Sequence, residues 1–229
     1  MTQKDDDLII RQAPLFSALN DEAALSLRES MVSLKLYKGQ VLFKEGQEGD
    51  RLYVVVHGKI KLGTTSNDGR ENLLSILGPG EMFGELSLFD PEPRTSTAAA
   101  VTDARLVSLA HDAVIGLITT NPQTSLELLR RLAQRLRKSN EVLADLVFAD
   151  VPGRVAKAII DLGVRFGVQE EDGLHVNHDL TQEELAQLVG ASRETVNKAL
   201  ADFAARGWVR LEPRAVLVTD VARLTKRGR

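Results

Sequence analysis

Two groups of residues in this 229-residue chain could do chemistry. The first is Phe83-Gly84-Glu85-Leu86-Ser87-Leu88-Phe89, followed nine positions after Glu85 by Arg94 within Pro93-Arg94-Thr95-Ser96. A guanidinium matches an oxyanion by charge-assisted fork geometry, a carboxylate accepts a hydroxyl proton, and a glycine lets backbone amides come close. Such a trio suits a small ligand carrying an anion and a hydroxyl. Alone, a Glu/Arg pair near a turn has a plainer explanation as a surface ion pair. The second group is Arg193, Glu194, Asn197 and Lys198, spaced i, i+1, i+4 and i+5 so that they share one face of a helix. Arg pairs with guanine O6 and N7, and Glu accepts from cytosine N4, when the first turns of a helix enter the major groove. Phosphates would repel Glu194, so it needs a base edge or a cationic neighbour. A solvated face with i,i+4 pairs would explain these charges equally well if they stood alone.

Other chemistries lack their residues. There is no cysteine, which removes disulfides, thiolate metal sites, iron–sulfur ligation and thiol redox sensing. His57, His111, His175 and His178 form no His-x-x-x-His or His-Glu-x-x-His spacing, and no Gly-x-Ser-x-Gly elbow occurs. No metal, haem or iron–sulfur cluster is expected, and no enzyme. The N-terminus lacks a signal-peptide pattern and no apolar run reaches spanning length, so a soluble cytoplasmic protein without a membrane partner is expected. The net charge of −3 argues against a nucleic-acid binder only on average: residues 151–229 hold 12 Lys/Arg against 11 Asp/Glu, and residues 1–150 hold 17 against 21. Any positive surface must be local.

The elements that would carry these groups show in the punctuation. Asp21–Ser30 has the pattern of an amphipathic helix capped by Asn20, with Ala24, Leu27 and Met31 on one face. From Lys38 to Phe89 glycine recurs between short apolar runs such as Leu52–Val56 and Leu73–Leu77, with a turn at Asn67-Asp68-Gly69, which predicts a small β-sandwich or barrel. Between Thr119 and Phe148, Leu126, Leu129, Ala133, Leu136, Leu143 and Val147 fall on a 3-4 spacing interrupted by the polar Asn140. This is a three-heptad seam, read as a parallel dimer helix whose polar position sets register; a core helix of a globular domain is the alternative. Asp150–Gly153 then places a proline in the first turn of a new helix and predicts a hinge. The next helix presents Val155, Ile159, Leu162 and Phe166, with Gly167 as a left-handed cap. Thr181-Gln182-Glu183-Glu184 is a capping box, and Gly190-Ala191-Ser192 joins its helix to a second one over 192–206, the signature of a helix-turn-helix. Trp208–Leu211, a turn at Glu212-Pro213-Arg214 and Ala215–Val218 predict a wing with Arg214 at its tip, followed by a basic tail of Arg223, Lys226, Arg227 and Arg229.

Asp150-Val151-Pro152-Gly153-Arg154, Leu180–Glu184 and Gly190–Val196 closely resemble the cyclic-AMP receptor branch of the CRP/FNR transcription regulators, actinobacterial members most of all, and the likeness covers nearly the whole chain. The resemblance implies an α+β protein. Residues 1–120 would form a cyclic-nucleotide-binding, jelly-roll-like β-roll, 121–149 the dimerisation C-helix, 150–153 the hinge and 154–229 a winged helix-turn-helix. It assigns cAMP as allosteric effector, held by Phe83, Gly84, Glu85, Leu86, Ser87, Arg94 and Thr95, with Ser139 and Asn140 touching the purine from the two subunits. Arg94 would then meet the cyclic phosphate and Glu85 the ribose hydroxyl. It implies a homodimer on double-stranded DNA with palindromic GTGA-type half-sites, contacted through Thr181, Ser192, Arg193, Glu194, Asn197, Lys198 and Arg214, and RNA polymerase as a partner.

Two departures are chemical. Lys198 stands where the enteric relative has arginine and cannot form a planar fork, and Ser139 stands where threonine is common. Three alternatives stay open: another effector in the pocket, a dimer competent for DNA without any ligand, and the regulatory subunit of an enzyme. The last would need no helix-turn-helix.

Overall fold

The computed structural model describes residues 9, 10, 13, 16, 19, 24, 27–66, 68–90 and 92–229. Asn20 and half of the helix expected over 21–30 lie outside them, although Ala24 and Leu27–Glu29 are helical, Leu27 is buried and Met31 packs on the same core. Asn67 also lies outside, while Gly69, at φ +83°, donates its N–H to the Ser66 carbonyl at 2.8 Å and closes a turn there. Contacts group the chain into two compact units, 1–64 with 74–137, and 65–73 with 138–229.

Among the described residues, eight strands build the N-terminal sheets: β1 (Val32–Leu36), β2 (Val41–Phe43), β3 (Arg51–His57), β4 (Ile60–Thr65), β5 (Glu71–Leu77), β6 (Met82–Phe83), β7 (Thr97–Ala100) and β8 (Ala104–Ala110). They form two sheets ordered β1-β8-β3-β6 and β2-β7-β4-β5, in which β8 runs antiparallel to β1 and β3, and β7 to β2 and β4. Successive strand side chains point to opposite faces. In β3 this sends Leu52, Val54 and Val56 into a core with Leu88, Leu109, Val114 and Leu117, and Tyr53 and Val55 into another with Ile60, Phe83, Ala98 and Leu106. A strand buried on both faces has no polar alternation, hence the unbroken apolar run in the sequence. The β-rich region extends past Phe89. β7 reads Thr-Ala-Ala-Ala, a poor strand former by propensity, yet Ala98, Ala99 and Ala100 are at most 6% exposed, and packing between β2 and β4 decides its state.

Three helices follow within or out of this unit: α1 (Leu86–Phe89), α2 (His111–Thr120) and α3 (Pro122–Phe148). The long helix expected over 121–149 spans Pro122–Phe148. Asn121 leaves helical geometry, its N–H and its Nδ2 both donate to the Leu117 carbonyl at 3.0 and 3.2 Å, and Pro122, lacking an N–H, opens the new helix. In α3 only Thr124 and Leu128 are buried, while Leu126, Leu129, Leu136, Leu143 and Val147 of the heptad seam are 42–73% exposed.

The second unit holds the later part of α3 and α4 (Val151–Phe166), β9 (Gly167–Glu170), β10 (Gly173–Asn177), α5 (Gln182–Val189), α6 (Arg193–Ala205), β11 (Val209–Glu212), β12 (Ala215–Val218) and α7 (Val221–Arg227). Its sheet is ordered β11-β12-β10-β9. Val155, Ile159 and Leu162 of α4 are buried as expected, whereas Phe166 is only half-buried. Gly167 is not a left-handed cap: it is extended (φ −79°, ψ 146°) and begins β9. Glycine is required there by crowding, since a Cβ would sit 2.3 Å from the Gly163 carbonyl oxygen and 2.7 Å from Leu174 Cδ1. The wing is tighter than expected. Glu212 pairs with Ala215, so the turn is Pro213-Arg214 with Arg214 at φ +60°, and Trp208 precedes the strand, stacked on Phe203 at 5.7 Å. The basic tail is largely helical, capped by Asp220 and anchored by the buried Leu224. Among the described residues no helix is long and apolar enough to cross a membrane.

Candidate functional site

Glu85 and Arg94 lie in one pocket of the first unit, bounded also by Phe43, Leu62, Gly84, Leu86, Ser87, Thr95, Ser96 and Arg135. Both are almost wholly buried, at 2% and 5% exposure, which removes the surface-pair explanation. Arg94 is fixed from several sides. Its Nη1 donates to the Gly84 carbonyl and its Nη2 to the Arg51 carbonyl, each at 2.8 Å, and its Cζ lies 4.4 Å from the centre of the Phe43 ring. Gly84 makes this possible: at φ +82° it adopts a conformation other residues rarely take, and a Cβ would fall 2.8 Å from Arg94 Nη1. Gly49 approaches as closely, for a Cβ there would stand 2.4 Å from Arg94 Nε. Burial pulls the Arg94 pKa down, against the pull of Tyr53, Asp50 and Glu85, and the group stays cationic because a guanidinium starts far above neutral pH.

Two polar atoms in this pocket, Glu85 Oε2 and Arg94 Nε, are buried with no hydrogen-bond partner. An unmet buried polar atom costs about 1–3 kcal/mol, so a fold rarely keeps two in one pocket without a use for them. Glu85 Oε1 accepts from Nη1 of Arg135 on α3, a residue that sequence reasoning missed. Its one signal was position, as Arg135 and Ser139 are i,i+4 neighbours on one helix face. Of the other expected ligand residues, Ser87 is buried, and Leu86 and Thr95 are exposed at the rim. Phe83 lies fully in the core behind, stacked on Tyr53 at 5.4 Å, and does not line the pocket. Ser139 and Asn140 are exposed residues of α3 in the second unit.

In the second unit, Thr181 completes its capping box, accepting from the Glu184 N–H at 3.1 Å while its own N–H donates to the Glu184 carboxylate at 2.8 Å. α5 ends at Gly190 in the left-handed region, at φ +67°. Ser192 caps α6 by accepting from the Thr195 N–H at 3.2 Å. Val196, Leu200 and Phe203 turn inward, leaving Arg193, Glu194, Asn197 and Lys198 exposed together. Glu194 has the cationic neighbour it needs, for Lys198 Nζ donates to it at 2.7 Å. At the wing tip, Arg214 and Asp179 both have positive φ and bond each other reciprocally: the Asp179 N–H donates to the Arg214 carbonyl at 2.9 Å, and Arg214 Nη1 donates to the Asp179 carbonyl at 3.2 Å.

The junction of α3 and α4 is densely bonded. Asp150 caps α4 through the Gly153 N–H at 2.9 Å and accepts from Arg227 Nη2 at 2.6 Å, and Arg227 first, then Gly153, hold its carboxyl below the usual carboxylate range. Arg154 donates to the carbonyls of Ala149, Val189 and Gly190, tying the end of α3 to the end of α5. Lys157 reaches Asp145 at 2.5 Å, which raises the lysine pKa, and Lys138 reaches Asp161 at 2.6 Å.

Comparison with known proteins agrees with this geometry. Residues 33–121 match the cyclic nucleotide-binding domain, and residues 153–227 the Crp-like helix-turn-helix domain. The chain is 54% identical, over 97% of its length and 100% of the relative, to the CRP-like cAMP-activated global transcriptional regulator of Mycobacterium tuberculosis. It is 38% identical to the cyclic AMP receptor protein of Thermus thermophilus, over 94% of this chain and 96% of that one. Among solved structures, a CRP/FNR-family transcriptional regulator, also of Thermus thermophilus, superposes with a TM-score of 0.72 at 28% identity, covering 86% of this chain and 98% of that chain. With a cyclic nucleotide-binding domain, a long helix and a Crp-like helix-turn-helix in sequence, the chain belongs to the CRP/FNR family of DNA-binding transcription regulators, which are not enzymes.

Proposed function

We propose that the chain is a homodimeric, cAMP-responsive regulator that binds a palindromic DNA site with GTGA-type half-sites through α6. The observation that carries this reading is the pair of orphaned buried atoms, Glu85 Oε2 and Arg94 Nε, in one pocket. A cyclic nucleotide brings the partner each lacks: a phosphate oxygen for the guanidinium N–H and a ribose hydroxyl for the carboxylate. Gly84, Leu86, Ser87 and Thr95 border the same space, Phe83 backs it, and Ser139 and Asn140 meet the purine from the helix pair.

Arg135 gives ligand binding a mechanical consequence. It holds Glu85 Oε1 while Oε2 is left for the ligand, so a hydroxyl bound at Oε2 is linked through one carboxylate to the α3 helix. The exposed leucines of α3 form the dimer seam with a second copy, and Asn140 faces its own counterpart there. Residues 1–120 act as the effector domain, 121–149 as the dimer helix, 150–153 as the hinge and 154–229 as the reading head. The capped ends at Thr181 and Ser192 and the wing Arg214 serve the phosphates, and Arg193, Glu194, Asn197 and Lys198 the bases. RNA polymerase is the partner at the promoter.

The test is calorimetric titration of cAMP into wild-type protein and Arg94→Leu, with circular dichroism and sedimentation as controls. Binding that disappears in a variant still folded and dimeric supports the phosphate role. Unchanged affinity in Arg94→Leu refutes it.

A further inference from the structure

We infer that Asn197 is a specificity-determining residue that reads an adenine, separately from the guanine read by Arg193. This rests on α6 being the recognition helix, and it adds a base that the Arg193, Glu194 and Lys198 set does not address.

Four exposed side chains on the first turns of α6 divide into two rows along the helix. Glu194 and Lys198 form one row and are already joined to each other at 2.7 Å. Arg193 and Asn197 form the other, and among the described residues neither side chain has a hydrogen-bond partner within the chain. Asparagine is a poor helix former, because its amide competes for backbone groups. At Asn197 that weakness is not repaid by any bond inside the protein, so its amide is presented outward intact, one carbonyl acceptor and one NH2 donor.

That donor and acceptor, side by side, complement one base edge in the major groove: adenine offers an N6 donor and an N7 acceptor, which Asn engages together. Guanine shows two acceptors at the same edge and suits Arg193 instead. Four helical residues advance about 6 Å, which is roughly two base-pair steps along the groove. Arg193 and Asn197 can therefore read different base pairs of one half-site at once. Beside them, Glu194 and Lys198 are already bonded to each other, so neither takes up the Asn197 amide.

Full-length wild type, Asn197→Ala and Arg193→Ala, each with cAMP at one fixed salt concentration, are used to select duplexes from a randomised pool. The affinities for the wild-type consensus are then measured with each adenine replaced in turn by 7-deazaadenine, which lacks the N7 acceptor. The expected result is that Asn197→Ala loses the preference for one adenine and keeps the guanine, whereas Arg193→Ala does the reverse. At that adenine the 7-deaza base weakens wild type on the order of tenfold, as for the loss of one bidentate contact, and leaves Asn197→Ala unchanged. The inference is overturned if the adenine preference survives in Asn197→Ala, or if that variant weakens equally on consensus and scrambled duplexes, as a phosphate contact would. If wild type selects no common sequence, or Arg193→Ala selects the wild-type one, the recognition-helix assignment itself fails and takes this inference with it.

Discussion

Arg94 is placed by what its neighbours lack. Gly49 and Gly84 have no Cβ where one would strike the guanidinium, Phe43 lies against its face, and two backbone carbonyls take its terminal nitrogens. Gly49→Ala puts a methyl group 2.4 Å from Arg94 Nε, which pushes the guanidinium away from its bonds to the Gly84 and Arg51 carbonyls. The expected outcome is a fall in cAMP affinity of at least about tenfold, equivalent to roughly 1.4 kcal/mol, with DNA binding by the reading head on random duplex unchanged. Titration calorimetry on the variant measures this, and an unaltered affinity would mean that the guanidinium's position is not critical. At this scale the sequence was informative about Gly84, Glu85 and Arg94, whose types carry their chemistry. It was silent on Arg135, because an arginine beside a heptad leucine looks like any solvated helix cation, and on Gly49, whose role depends on a residue 45 positions away. Phe83 was placed at the ligand by the resemblance, while strand alternation turns its side chain into the core behind the pocket.

Element boundaries followed the capping chemistry where that chemistry is local. Thr181, Ser192, Gly190 and the proline-bearing start of α4 each occupy the position their side chains favour. Where tertiary contacts decide, the sequence misled: β7 is built of alanines, Gly167 opens a strand because Gly163 and Leu174 leave no room for a Cβ, and the tail folds into α7 on the strength of Asp220 and Leu224. The return of α7 gives Asp150 its second partner. Since Arg227 and the Gly153 N–H depress the folded-state pKa of Asp150, its charged form contributes stability that is complete above the unfolded value of about 3.9 and is lost as pH falls through the lower folded value. Asn also caps helices well, so Asp150→Asn removes the charge and keeps the cap. Thermal melts of the two proteins should differ at pH 6 to 7, with wild type higher, and converge as the pH falls through the lowered folded-state value. A difference that persists at low pH would show the contribution to be something other than the carboxylate charge.

At the scale of the whole molecule, the apolar seam of α3 demands a partner. Leu129, Leu136 and Leu143 are each more than 60% exposed in the single chain, and burying one such side chain is worth roughly 1.5–3 kcal/mol. Leu136→Asp should convert the dimer to monomer in sedimentation velocity and abolish binding to a palindrome while the β-roll stays folded; a dimer that persists would place the interface elsewhere. The heptad spacing was legible in the sequence because it is periodic. The bonds from Lys138 to Asp161 and from Lys157 to Asp145 were not, because these charges look like ordinary helix surface until the fold brings them together. The central claim is that an occupied pocket controls the reading head, and a ligand can do this only by its differential affinity for two states. The most direct measurement is a DNA titration at one fixed salt concentration, on a duplex with inverted GTGA half-sites and on a scrambled control, with and without cAMP. The account predicts that cAMP tightens binding to the palindrome and leaves the control unchanged; equal binding to the palindrome in both conditions would contradict it.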